Sequence, residues 1–256
     1  MIKLTGIALA LAVLAGPALA DTIVAPGGPG DAQGPAPIRY YGNTGSEVQQ
    51  IYSSTFFTGP TQITGLSFRA YPGATPGFFS NSVSVSNLII TASTTALSAY
   101  ENAGLQPSTL FSANLGDAAA TVFSGALTLT TAATGTGPQP FDYTINFTNS
   151  FLYNPAAGNL LLDFLIPNGA TVSGSSFGFL TFDNANDNND GVRSIVNING
   201  PGPSGVLDTS AAITQFSTAG VSAVPEPSVW ALMIGGMLMA GSALRMQRRS
   251  RVRVRA

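Results

Sequence analysis

Short apolar runs, each cut off by Gly, Pro or Asn, fill the middle of this 256-residue chain and leave no room there for helices of ordinary length. The runs Val48–Phe57, Ile63–Tyr71, Val83–Ala92, Thr121–Thr130, Asp142–Phe147, Leu160–Ile166, Phe177–Phe182, Val192–Ile198 and Ile213–Ser217 read as strands. Tyr143, Ile145 and Phe147 alternate with Asp142, Thr144 and Asn146, and Leu127 and Leu129 alternate with Thr128 and Thr130, so these strands have one dry face each. Leu160–Ile166 is nearly continuous apolar sequence, as in a strand covered on both faces, and the flanking Gly158 and Pro167 favour a strand over a buried helix. The expected fold is mainly β, an antiparallel β-sandwich of jelly-roll-like form spanning residues 38–218. Helix is expected at the two ends.

Residues 1–20 open with Lys3, continue through the apolar stretch Leu4–Leu14 and close on Ala18-Leu19-Ala20. One positive charge, a core too short to span a bilayer and a small-x-small ending are the parts of a signal peptide, so signal peptidase is expected to cut between Ala20 and Asp21. Residues 21–37, rich in Pro and Gly, read as an irregular arm.

No histidine and no cysteine occurs, and Lys3 is the only lysine. Ser-His-Asp and Cys-His nucleophile systems, thiolate or imidazole metal sites and disulfides are therefore excluded, and cleavage of the leader would remove the only amine side chain. Only carboxylates remain for acid–base chemistry: Glu47, Glu101, Asp117, Asp142, Asp163, Asp183, Asp187, Asp190 and Asp208. A glycosidase needs two of them flanking a cleft. Asp163 stands out because it interrupts an apolar run, where a salt bridge to Arg69 or Arg193 is the expected arrangement.

Residues 219–227 form a linker containing Pro225-Glu226-Pro227, residues 228–244 are uncharged and apolar, and residues 245–256 carry Arg245, Arg248, Arg249, Arg251, Arg253 and Arg255. The apolar run is at the short end of what crosses a hydrocarbon core, and arginine at its border can snorkel. A single transmembrane helix is expected, with the arginines retained on the cytoplasmic side of the inner membrane and the preceding domain outside it. A signal peptide routes the chain away from nucleic acid, so the arginines are not read as a nucleic-acid arm.

Val224-Pro225-Glu226-Pro227-Ser228, the Trp230-containing apolar run and the arginine cluster together resemble the PEP-CTERM sorting signal of exopolysaccharide-producing Gram-negative bacteria. The resemblance implies an exosortase as partner, with Pro225, Glu226 and Pro227 as substrate residues. Two prolines hold the segment extended, which suits a processing enzyme. The middle of the chain is also similar to a group of exported PEP-CTERM proteins, through Gln49-Gln50-Ile51-Tyr52, Ser67-Phe68-Arg69, Leu88–Thr95 and Phe151–Pro155 with Gly158–Asp163. That group brings no known enzymatic activity with it.

Residues 21–224 carry eleven acidic side chains against Arg39, Arg69 and Arg193, a formal charge of about −8. Polyanions would be repelled unless divalent cations bridge them. Asn186, Asn188, Asp190 and Gly191 resemble the start of a calcium loop, although Asn197 stands where such a loop places a bidentate Glu. The alternative is an Asx-rich turn. Tyr40, Tyr41, Tyr71, Phe78 and Phe79 could stack on sugars or simply pack. The expectation is thus a non-enzymatic protein of the cell surface or extracellular matrix, contributing to biofilm or exopolysaccharide structure. A polysaccharide-binding module and, less favoured, a carboxylate-dependent glycoside hydrolase are the alternatives.

Overall fold

A computed structural model describes residues 22–27, 45–70, 82–133, 139–173, 182–197, 200–219, 233–242 and 245. The leader with Ala18, Ala20 and Asp21, the Pro225-Glu226-Pro227 motif, Arg248 to Arg255, and Tyr40, Tyr41, Tyr71, Phe78 and Phe79 lie outside the described residues. The chain divides into two compact units, Met1–Gly220 and Val221–Ala256.

The first unit contains β1 (Thr22–Ala25), β2 (Ser46–Tyr52), β3 (Thr61–Phe68), β4 (Ser82–Thr95), β5 (Ala120–Thr130), β6 (Tyr143–Tyr153) and β7 (Asn159–Ile166). After these come β8 (Val172–Ser173), β9 (Asn184–Asn186), β10 (Val192–Asn197), β11 (Val206–Asp208), β12 (Ser210–Ala212) and β13 (Thr214–Ala219). One sheet has the order β1-β13-β3-β6, the other β11-β10-β2-β7-β4-β5 with β8 beside β4, and β9 pairs with β12. The strands pair antiparallel, giving a β-sandwich-like, mainly β fold.

Period-two patterning builds the core. Val48 and Tyr52 of β2, Leu88, Ile90 and Ala92 of β4, and Leu160, Leu162, Phe164 and Ile166 of β7 point between the sheets, where they meet Leu66, Phe68, Tyr143, Ile145 and Phe216. Ring pairs lock the interior. Phe68 stacks on Phe182 at 4.5 Å, and Tyr52 meets Phe216 edge-on at 5.1 Å.

The continuous apolar run of β7 is covered on both faces, as its composition requires. Leu161 points away from the sandwich into a second cluster with Ile51, Ala99, Phe111 and Ile195. Residues 97–116, between β4 and β5, supply that cover and act as a strap across the outer face of the larger sheet.

Two expectations change. Thr22–Ala25, at the head of the segment read as an irregular arm, is a strand paired with β13. The run 48–57 leaves the sheet after Tyr52, because the Ser53 side chain accepts from Thr55 N and caps a 3-10 turn at Ser54–Phe56. Of the strand expected over 177–182 only Phe182 is described, and it bridges Ala70.

In the second unit residues 233–242 are helical, with Met237, Leu238 and Met239 exposed. Among the described residues no helix is long and apolar enough to cross a membrane, so the span expected over 228–244 is described only over this shorter stretch.

Candidate functional site

The outer face of the larger sheet carries the most unusual electrostatics among the described residues. β2 lies between β10 and β7, and β7 between β2 and β4. Their registers place Asn197 opposite Glu47, Gln49 opposite Asp163, and Asp163 opposite Thr91. Odd-numbered residues of β2, β7 and β10, and of β4 from Ile89 onward, share the outer face, so Glu47 and Asp163 are diagonal neighbours on adjacent strands.

The strap closes over Asp163. Gln49 Nε2 donates to Phe111 O at 3.0 Å, Asn114 Nδ2 donates to Gln49 Oε1 at 3.0 Å, and Gly116 N donates to Ser93 Oγ at 3.3 Å. Asp163 is left 8% exposed, and among the described residues its Oδ1 has no hydrogen-bond partner. Glu47, half-covered, faces more water.

Burial pushes the Glu47 carboxyl up to about 7, with the Asp163 charge adding to the rise. Burial likewise pushes Asp163 up to about 6, against a lowering hydrogen bond from Gln49. Both groups hold protons more tightly folded than unfolded. Their contribution is therefore most favourable at acid pH and is lost as pH rises from about 4 to about 7. In buffers free of divalent cations, chemical denaturation of wild type and Asp163→Asn should give a stability difference that shifts against wild type across that window. The expected size is on the order of 2–3 kcal/mol, set by the Asp163 shift. A pH-independent difference would remove the electrostatic strain from this face.

The salt bridge expected at Asp163 is not formed. Arg69 instead pairs with Asp183, Nε to Oδ2 at 2.6 Å. Arg193 lies on the outer face beside Ile51, buried, and among the described residues its Nε and Nη1 have no partners. It is one row and two strands away from Asp163.

The Asn/Asp-rich loop is an Asx-bonded turn. Asn186 belongs to β9 and its Oδ1 accepts from Thr209 Oγ1 at 2.9 Å. Asp187 Oδ1 accepts from Asn189 N at 2.9 Å, and Asp190 Oδ1 accepts from Val192 N at 2.8 Å. Asn188 is exposed. Asn197 ends β10, five residues beyond Val192 and roughly 17 Å along an extended strand, so it does not return to the loop. Among the described residues no three Asp or Glu side chains group together as a metal cluster.

The remaining carboxylates are dispersed. Asp142 Oδ2 accepts from Ala132 N and Thr131 Oγ1, Asp208 Oδ1 accepts from Ser210 N, and Asp117 is exposed. Composition had already named Glu47 and Asp163, but it held no sign of their pairing, which only the β2–β7 register supplies. No protein-family model, curated protein or solved structure matches the chain.

Proposed function

We propose that this is an exported, non-enzymatic protein of the cell surface or extracellular matrix, sorted by an exosortase through its C-terminal segment. The carrying observation is the succession of a leader at residues 1–20, Pro225-Glu226-Pro227, an apolar run at 228–244 and arginines from Arg245 to Arg255. The division of the chain between Gly220 and Val221, just before the motif, agrees with a cargo unit followed by a separate sorting segment. So does the charge of about −8 on residues 21–224, which keeps an exported domain soluble.

The jelly-roll form of the sandwich belongs to the same proposal, and strand pairing supports it. Count β1 to β7 and then β13 as eight strands in chain order. The first pairs with the eighth, the second with the seventh, the third with the sixth and the fourth with the fifth. A two-stranded ribbon folded over itself produces this pattern, with β8 to β12 inserted before the last strand.

Sorting is tested in the producing organism. Glu226→Gln, and separately deletion of residues 245–256, should leave unprocessed chain in the inner membrane, while mass spectrometry of the exported wild type should find a C-terminus near Pro225. Truncated protein reaching the same destination as wild type, still carrying residues 228–244, would defeat the proposal.

A further inference from the structure

We propose that Glu47 and Asp163 together bind a single hard divalent cation, calcium, on the outer face of the larger sheet. The site goes beyond the sorting proposal and does not depend on it. Its geometry comes from three strand registers: Asn197 opposite Glu47, Glu47 diagonal to Asp163, and Asp163 opposite Thr91. Glu47 and Asp163 therefore stand in adjacent columns of one face, with Asn197 and Thr91 in the columns outside them.

A second observation separates this pair from an ordinary acidic patch. Asp163 is more than nine-tenths buried, and its Oδ1 has no hydrogen-bond partner, although the side chain shares its face with Glu47 and acts on it electrostatically. An ionised carboxylate only accepts, so that oxygen needs a donor or a cation. Among the described residues the chain offers neither. Arg69 is committed to Asp183, and Arg193 makes no ion pair. The protein has no lysine beyond Lys3 and no histidine.

The protein donors are two carboxylates, and water completes an all-oxygen shell. Such ligands suit calcium or magnesium over softer metals. Calcium tolerates irregular sets of six to eight oxygens completed by water, whereas magnesium demands near-octahedral geometry, and a diagonal pair on a twisted sheet favours the former. Two carboxylates on a partly open face place affinity in the range of about 10⁻⁴ to 10⁻³ M typical of extracellular modules.

The test uses the full chain in detergent. At pH 8, calcium at about 10 mM should raise Tm by about 3 to 6 °C for a dissociation constant of about 1 mM. The rise should vanish at pH 5, where both carboxyls are protonated. It should be lost in Asp163→Asn and in Glu47→Gln, and kept in Asp190→Asn, which alters the other candidate loop. Two variants guard against one failing to fold. Three outcomes would overturn the proposal: no calcium response at pH 8, the same response in both carboxyl variants, or an equal response to sodium chloride of matched ionic strength. A Tm that climbs on acidification yet ignores calcium would mean that the pair only shares a proton, which also overturns it. Sorting of Glu226→Gln is read separately, so either proposal can fail alone.

Discussion

Asp183→Ala should lower the unfolding free energy by about 3–5 kcal/mol, measured by chemical denaturation near neutral pH. Asp183 is 1% exposed, and its Oδ2 lies 2.6 Å from Arg69 Nε, itself on a side chain only 9% exposed. Removing the carboxylate leaves a guanidinium buried without a counter-charge, and the remaining contact of Arg69 with the Phe141 ring at 5.0 Å is too weak to offset that. The backbone around the pair is unaffected by the change: Asp183 N donates to Arg69 O, and Ile213 N donates to Asp183 O. The loss is thus assignable to charge. Among the described residues Arg69 Nη2 has no partner, so the pair is imperfectly satisfied there. The double variant Arg69→Met, Asp183→Leu should for that reason recover most of the lost stability. A cost below about 1 kcal/mol for the single change would place the pair in the range of solvent-screened surface bridges.

The strands most legible in the sequence were those whose periodicity is enforced by burial. In β7 the even-numbered residues face the sandwich and Leu161 faces the strap, so nearly every position is apolar and the run announces itself. In β5 and β6 one face is wet, and alternation marks them. Thr22–Ala25 escaped because Pro26, Gly27 and Gly28 follow at once, and because its pairing with β13 joins residues almost two hundred positions apart. Nothing local records such a contact.

The site was half legible for the same reason. Asp163 interrupts an apolar run, yet neither expected arginine meets it: Arg69 pairs with Asp183, and Arg193 stands two strands away. Glu47 sits 116 positions earlier in the chain, and only the register of β2 against β7 sets it beside Asp163. Register is fixed by which face must be dry, and a slip of one residue would turn Asp163 into the core. The strap was invisible as a cover. Its apolar residues follow neither strand nor helix period, and Phe111, with Leu97, Ala99 and Tyr100, closes the second cluster.

Gly116→Ala should lift that strap and cost about 3 kcal/mol or more, the upper range for overpacking. A Cβ on Gly116 would stand 1.7 Å from Thr94 O and 2.7 Å from Thr94 C. Thr94 cannot yield, because β4 is held between β5 and β7 and Thr94 is paired with Leu160. The strap must move instead, breaking the bond from Gly116 N to Ser93 Oγ and unseating Phe111 and Asn114 from Gln49. Gly59→Ala, where nothing lies within 4 Å, is the matched control and should change stability by no more than about 0.5 kcal/mol. In Gly116→Ala, limited proteolysis should cut within 97–118 while the core between the sheets stays protected. Water reaching Asp163 would also relieve the burial that raises its pKa, so the loss of stability between about pH 4 and pH 7 should flatten in this variant. A variant as stable as Gly59→Ala, with an unchanged pH profile, would mean that the strap does not bear on the carboxyl pair.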